Sequence, residues 1–414
     1  MAQEPYPGDA FFIAFQREVR ALYEQQGQTL DLENVVWASR TAYDIGAGLS
    51  REMSMAKHLA ELRRALGMVP PEGSFPTVRR NGDRLVRPDG SPWDYFGVSA
   101  FQLLAVEPAR QDDFLGWVAS LGLTEPVVRV FTTAVNLFDL HPADGYARLF
   151  PLLEKAAGHR VRVEAVALCD TSLRSFDFAQ HLRLVRALPY GNLLVEGANE
   201  PLQSFQANVR NLVKQPGGQA VVYAAGAADD VNDESNEFAT GDYLTVHSSR
   251  SDGERGWRWV RHTKECWYDR RIQTGLYPVN DEPRRDDLTP AKHFALGCMA
   301  WICGGGDLFH YAGGRFAQRP VEAEATALAA RIQGWRARPP DFRGSFFNAG
   351  WTGSPVRSFT GALRCYSARQ DNVAYTVALD AENVGIEFGE GFRVVDEQRV
   401  NGSRDSRLYR LERR

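Results

Sequence analysis

The chain has 414 residues, 44% of them hydrophobic, and its 48 basic and 52 acidic residues leave a formal charge of -4. That length and apolar content can build a barrel-sized core with material left over, which excludes a disordered or fibrous chain. The near-balanced charge supplies no field that would gather nucleic acid or an anionic membrane, so a neutral or mildly polar partner is expected.

Met1 to Asp9 carries neither a basic n-region nor an apolar h-region, and no stretch reaches the roughly 18 apolar residues of a membrane span. A soluble protein is expected, cytoplasmic by default. Over 9–66, Phe11, Phe12, Phe15, Val19, Leu22 and Tyr23 recur at helical spacing, as do Met55, Leu59, Leu62 and Leu66. These predict a helical extension over 1–75, closed by the Pro70-Pro71 pair and Gly73.

From there apolar strand-length runs alternate with amphipathic helix-length runs, the pattern of repeated βα units on a parallel sheet. Eight strands are expected, at 95–104, 127–131, 161–169, 192–196, 220–224, 243–247, 276–279 and 307–311. Helices are expected between most of them, at 111–121, 146–157, 176–188, 204–213, 291–303 and 321–337. Eight units close a (β/α)8 TIM barrel, here spanning 76–340. The acidic, polar stretch 227–241 is the weakest of the linking helices and reads equally as a loop over one face. Beyond Pro339-Pro340, short alternating runs at 373–379, 384–388 and 392–395 predict a small C-terminal β domain over 341–414.

Cys169, Cys266, Cys298, Cys303 and Cys365 form no Cys-x-x-Cys pair, and free buried thiols are expected. The eight histidines are scattered without ligand spacing, so neither a metal nor another cofactor is expected. Gly304-Gly305-Gly306 precedes a strand instead of opening a helix, which favours a tight turn over an anion cradle.

In a parallel barrel, chemistry gathers at the C-terminal strand ends. Two carboxylates stand out there: Glu200 in Val195-Glu196-Gly197-Ala198-Asn199-Glu200-Pro201 after the fourth strand, and Glu282 in Tyr277-Pro278-Val279-Asn280-Asp281-Glu282-Pro283 after the seventh. Glycoside hydrolysis needs one protonated and one ionised carboxyl, and in a retaining enzyme these stand about 5 to 5.5 Å apart, a separation that strands across a barrel mouth can provide. Glu196 competes with Glu200 and Asp281 with Glu282; Glu196, inside a strand, reads also as a buried structural acid.

These motifs resemble the clan of retaining glycosidases on (β/α)8 barrels that includes the cellulase-like and mannanase-like enzymes. The resemblance runs in order from about Arg84 to Pro339. It implies a β-linked carbohydrate substrate, with Glu200 as acid/base and Glu282 as nucleophile. It further implies that Asn199 bonds the sugar 2-hydroxyl, that Arg129 in Val127-Val128-Arg129-Val130-Phe131 holds the nucleophile carboxylate, and that His247 lines the sugar site. Where many members carry a tryptophan after strand eight, this chain has Phe309-His310-Tyr311, with His310 a further candidate for substrate binding.

Plainer roles exist for the same residues: Arg129 as the partner of a barrel-interior carboxylate, His247 and His310 as core histidines, and Tyr243, Trp267, Tyr268, Phe309 and Tyr311 as core aromatics. A carbohydrate-binding barrel without catalysis and a phage-type accessory protein are the alternative functions. A barrel lyase or aldolase would need a strand-end lysine or a metal cluster, and the nearest lysine, Lys264, sits in the charged run 261–270.

Overall fold

The computed structural model describes residues 75–414 except 135–137, 141, 170–177, 187, 189, 202–206, 216–220, 227–237, 248–273, 282–288, 338, 340–341, 343, 380–382, 390 and 401–405. The helical extension expected at 1–75, apart from Phe75, lies outside the described residues. So do Glu282, Lys264, Cys266, Trp267 and Tyr268.

Eight parallel strands form the barrel: β1 (Phe96–Ser99), β2 (Val127–Phe131), β3 (Arg162–Leu168), β4 (Leu193–Ala198), β5 (Val222–Gly226), β6 (Tyr243–His247), β7 (Tyr277–Asp281) and β8 (Gly306–Phe309). Each pairs with its neighbour in sequence and β8 returns to β1, so the ladder is continuous except between β5 and β6. At that seam Asp242 takes the place of a strand partner. Its backbone N–H donates to the Tyr223 carbonyl at 2.7 Å, and its carboxylate accepts the Tyr223 N–H at 3.0 Å. Among the described residues, six helices accompany the strands: α1 (Pro108–Ser120), α2 (Pro142–Gly158), α3 (Phe178–Arg186), α4 (Ala207–Val213), α5 (Pro290–Ile302) and α6 (Glu322–Arg336). Thr289 starts α5 by accepting the Lys292 N–H, with Pro290 in the first turn, where its missing N–H costs no bond.

The strand sequences are largely apolar on both faces because both are covered. Val128, Val130, Val163, Val195 and Val246 join the core between sheet and helices, while Val127, Leu194, Tyr243, Tyr277, Val279 and Leu308 fill the barrel interior. A hairpin, Arg79–Asn81 with Arg84–Val86, plugs the N-terminal end by adding Val78, Leu85 and Trp93 to that interior cluster.

The strand expected at 95–104 is shorter, β1 giving way to a 3-10 turn at Leu103–Ala105. The three glycines before β8 do form a tight turn. Gly304 has φ +76°, and a Cβ on Gly305 would stand 2.7 Å from the Pro278 carbonyl and one on Gly306 2.8 Å from Tyr95 Cβ. Glycine thus lets β8 close against β7 and β1.

C-terminal to the barrel, β9 (Ser345–Asn348), β11 (Arg364–Gln370), β12 (Val373–Leu379), β15 (Ser406–Arg413) and β14 (Phe392–Arg399) form an antiparallel sheet in that spatial order. One face lays Tyr366, Tyr375, Val377 and Leu408 on the barrel helices. The other carries Cys365, Ala374, Ala378 and Leu411, covered by Phe359, Ile386 and Phe388 from a pair of strands, β10 (Val356–Thr360) and β13 (Gly385–Phe388). No helix among the described residues is long and apolar enough to cross a membrane.

Candidate active site

Inward-facing positions near the C-terminal end of the barrel are polar where the deeper ones are apolar. Arg129 on β2 is almost wholly buried and is shared by two wholly buried carboxyls, Glu164 on β3 and Glu196 on β4. Its Nε stands 3.2 Å from Glu164 Oε2, and its Nη2 donates to Glu196 Oε2. The same Nη2 reaches Asn199 Oδ1 at 3.4 Å. The Thr245 hydroxyl donates to Glu196 at 3.3 Å, so the charge is partnered from β2 and β6 together. Buried charges persist only with such partners. Arg129 thus partners barrel-interior carboxylates, and Glu196 is a buried, hydrogen-bonded acid, the plainer placement given for each.

Glu200 is placed differently. β4 ends at Ala198, and the chain then turns with Glu200 at φ +42°, a left-handed conformation that a residue with a Cβ adopts at a cost of about 1–2 kcal/mol. Such strain persists only where surrounding structure imposes it, and it clusters at functional sites. Gly226 at the end of β5 leaves this turn its room. A Cβ on Gly226 would meet the Ala198 carbonyl at 2.3 Å and Pro201 Cδ at 3.3 Å. The turn lifts the Glu200 side chain to 19% exposure, against 0% for Glu196 four residues earlier. His247, the last residue of β6, meets it with Nδ1 3.2 Å from Oε1.

Of the other expected positions, Asn199 lies beside Arg129, as above. His310 is half-buried at the end of β8, edge-on to Phe101 at 5.1 Å, and Phe101 stacks on Phe131 at 4.2 Å. Phe309 and Tyr311 are buried and stacked on each other, which makes them core aromatics, and Tyr243 is wholly buried inside the barrel. Cys169, just past β3, donates its thiol to the Thr133 carbonyl at 2.6 Å, and burial pushes it up to about 12, so it stays a protonated thiol. Cys298, Cys303 and Cys365 are buried thiols outside any disulfide. Among the described residues no group of three or more His, Cys, Asp or Glu side chains is arranged to hold a metal ion.

Sequence reasoning missed Glu164, which accepts hydrogen bonds from Tyr243 at 2.5 Å and Tyr95 at 3.0 Å. Burial first, then the neighbouring Glu164 carboxyl, hold the Tyr243 phenol well above its ordinary range, so it remains a donor. The available signal was a lone acid in the apolar run Val161-Arg162-Val163-Glu164-Ala165-Val166. The arrangement as a whole sets a partly exposed carboxyl with an imidazole partner above a fixed, charged floor. Such a carboxyl can pass a proton to or from a molecule at the barrel mouth.

No model of a known protein family matches the chain, and no curated protein matches it. Solved structures do. One described as a glycoside hydrolase of family 5 from Bacteroides vulgatus superposes with a TM-score of 0.55 at 10% identity, over 81% of this chain and 93% of that one. Another, described as a glycoside hydrolase, gives 0.56 at 9% identity, over 82% of this chain and 97% of that one. What is shared at such identities is the architecture: this chain folds as a (β/α)8 barrel like those of solved glycoside hydrolases.

Proposed function

We propose that the chain is a β-glycosidase that works with retention of configuration. The observation that carries this reading is the Glu200 carboxyl, raised out of β4 by a strained turn, 3.2 Å from His247 and next to Asn199 on the Arg129 floor. Glu282 directly follows Asp281, the last residue of β7, and β7 lies three strands around the ring from β4. In the proposed reaction Glu282 attacks the anomeric carbon while Glu200 gives its proton to the leaving oxygen. Glu200, now a carboxylate, then takes a proton from water as that water displaces Glu282 and frees the sugar. The likeness of fold to glycoside hydrolases supports a carbohydrate as the molecule bound at this mouth.

The test is hydrolysis of a panel of aryl β-glycosides and β-linked oligosaccharides by the wild type and Glu282→Gln, with the anomer of the first product read by NMR. Cleavage with retention that disappears in the variant supports the reading and names the sugar. Equal turnover by both proteins removes Glu282 from the mechanism, and an inverted first product removes double displacement. No cleavage across the panel transfers the case to a binding barrel.

A further inference from the structure

The barrel interior devotes the layer just below Glu196 to charge where a (β/α)8 barrel ordinarily stacks branched apolar side chains. By strand register Glu164 is level with Arg129 and Leu194, whereas Glu196 is level with Val166 and so stands one inward-facing layer nearer the mouth. Glu164 is nevertheless the more elaborately held of the two acids. Tyr243 donates to its Oε1, Tyr95 donates to its Oε2, and Arg129 Nε sits against Oε2, so three separate segments converge on one carboxyl. A wholly buried carboxyl gives up hydration that apolar packing would not have required. Its return here is the orientation of Arg129. With the Nε edge fixed from below, Nη2 is directed at Glu196 and Asn199 Oδ1. An Asn199 oxygen engaged by the guanidinium leaves the amide nitrogen, a donor, for a molecule at the mouth.

We propose that Glu164 is a positioning residue for the reaction. Through Arg129 it orients the Asn199 amide toward the substrate hydroxyl next to the anomeric carbon, and Tyr95 and Tyr243 brace it in turn. The proposal rests on the glycosidase reading above, and it extends the functional set one layer below the strand ends, to a residue that touches no substrate. It requires that the effect of Glu164 be felt only by substrates carrying that hydroxyl.

The experiment compares the wild type, Glu164→Gln, Asn199→Ala, their double variant and Tyr243→Phe on aryl β-glycosides and the matching 2-deoxy glycosides, with Tm measured for each protein. The ion pair with Arg129 lost in Glu164→Gln predicts a fall in kcat of about 10- to 100-fold on the 2-hydroxy substrates. On the 2-deoxy substrates the fall is expected to be under about threefold, and the double variant to be about as slow as Asn199→Ala alone. Tyr243→Phe keeps the ring and removes one brace, so it should show a smaller loss with the same substrate dependence. Equal losses on both substrate types, or full additivity with Asn199→Ala, would make Glu164 a structural prop and overturn the proposal. If Glu164→Gln does not fold, Tyr243→Phe decides by the same comparison. A wild type that cleaves both substrates beside an undiminished Glu164→Gln sinks this inference alone; a wild type that cleaves neither sinks the glycosidase reading and this one with it.

Discussion

Nδ1 of His247 lies 3.2 Å from Oε1 of Glu200, although the two residues stand 47 positions apart and at the ends of different strands. The pairing holds the Glu200 carboxyl in one orientation over the mouth, as the general-acid role proposed for it requires. Glu200→Gln should therefore lower kcat/KM by about 10²- to 10⁴-fold on glycosides with poorly departing alcohols. The loss should be much smaller on dinitrophenyl glycosides, whose leaving groups need no proton. A leaving-group series measured for both proteins checks this, and a uniform loss along the series would take the acid role away from Glu200.

Gly226 tests the strained turn from its other side. Its φ is +143°, and an added Cβ would stand 2.3 Å from the Ala198 carbonyl, immediately before Asn199 and Glu200. Gly226→Ala is expected to cost about 1–3 kcal/mol of stability and to depress activity even at temperatures where the protein remains folded. Gly158, at the end of α2, has no atom near a prospective Cβ, and Gly158→Ala should be neutral or stabilising by up to about 1 kcal/mol. Thermal melts with parallel assays separate the two; equal behaviour would argue against the close approach at Gly226.

A second buried charge pair ties the barrel to its outer helices. Arg331 on α6 makes a two-pronged bond to Asp307 on β8, both wholly buried, and Asn280 on β7 donates to the same carboxylate at 3.2 Å. Arg331→Met leaves a buried carboxylate without its cation and should cost about 3–5 kcal/mol, while Asp307→Asn combined with Arg331→Met should recover part of the loss. Urea midpoints for the two variants measure this. A double variant no more stable than the single one would contradict it.

His181 on α3 makes stability depend on pH. Burial pushes its imidazole down to about 4, and its Nε2 bonds the Thr132 hydroxyl at 3.0 Å. The unfolded chain takes up this proton near pH 6.5, while the folded protein resists it until about pH 4. The neutral ring's contribution is therefore present above pH 6.5 and is lost as pH falls, by about 3 kcal/mol in all. His293, also depressed by burial, acts in the same direction. Denaturant midpoints at pH 7 and 4.5 should show a smaller drop for His181→Gln than for the wild type, and identical drops would refute the assignment.

Much of this protein is written locally. The alternation of apolar runs placed the eight barrel strands, with β2 and β6 at the expected bounds, because each strand is buried on both faces and is therefore mostly apolar, Arg129 and Thr245 being exceptions that find partners inside the barrel. Asn199-Glu200-Pro201 was legible for a similar reason: a polar run closed by proline just after such a strand marks a C-terminal strand end, where a parallel barrel gathers its chemistry. The tertiary structure alone decided where each acid is placed. Glu196 and Glu200 sit four residues apart in one motif, yet strand pairing sends one inward to Arg129 and a left-handed turn lifts the other to His247. Glu164 showed only as an acid in an apolar run, and its partners were illegible because Tyr95, Arg129 and Tyr243 come from three distant segments that only barrel closure brings together. A sequence carries its periodicities in every short window, whereas the pairing of buried charges depends on which strands become neighbours.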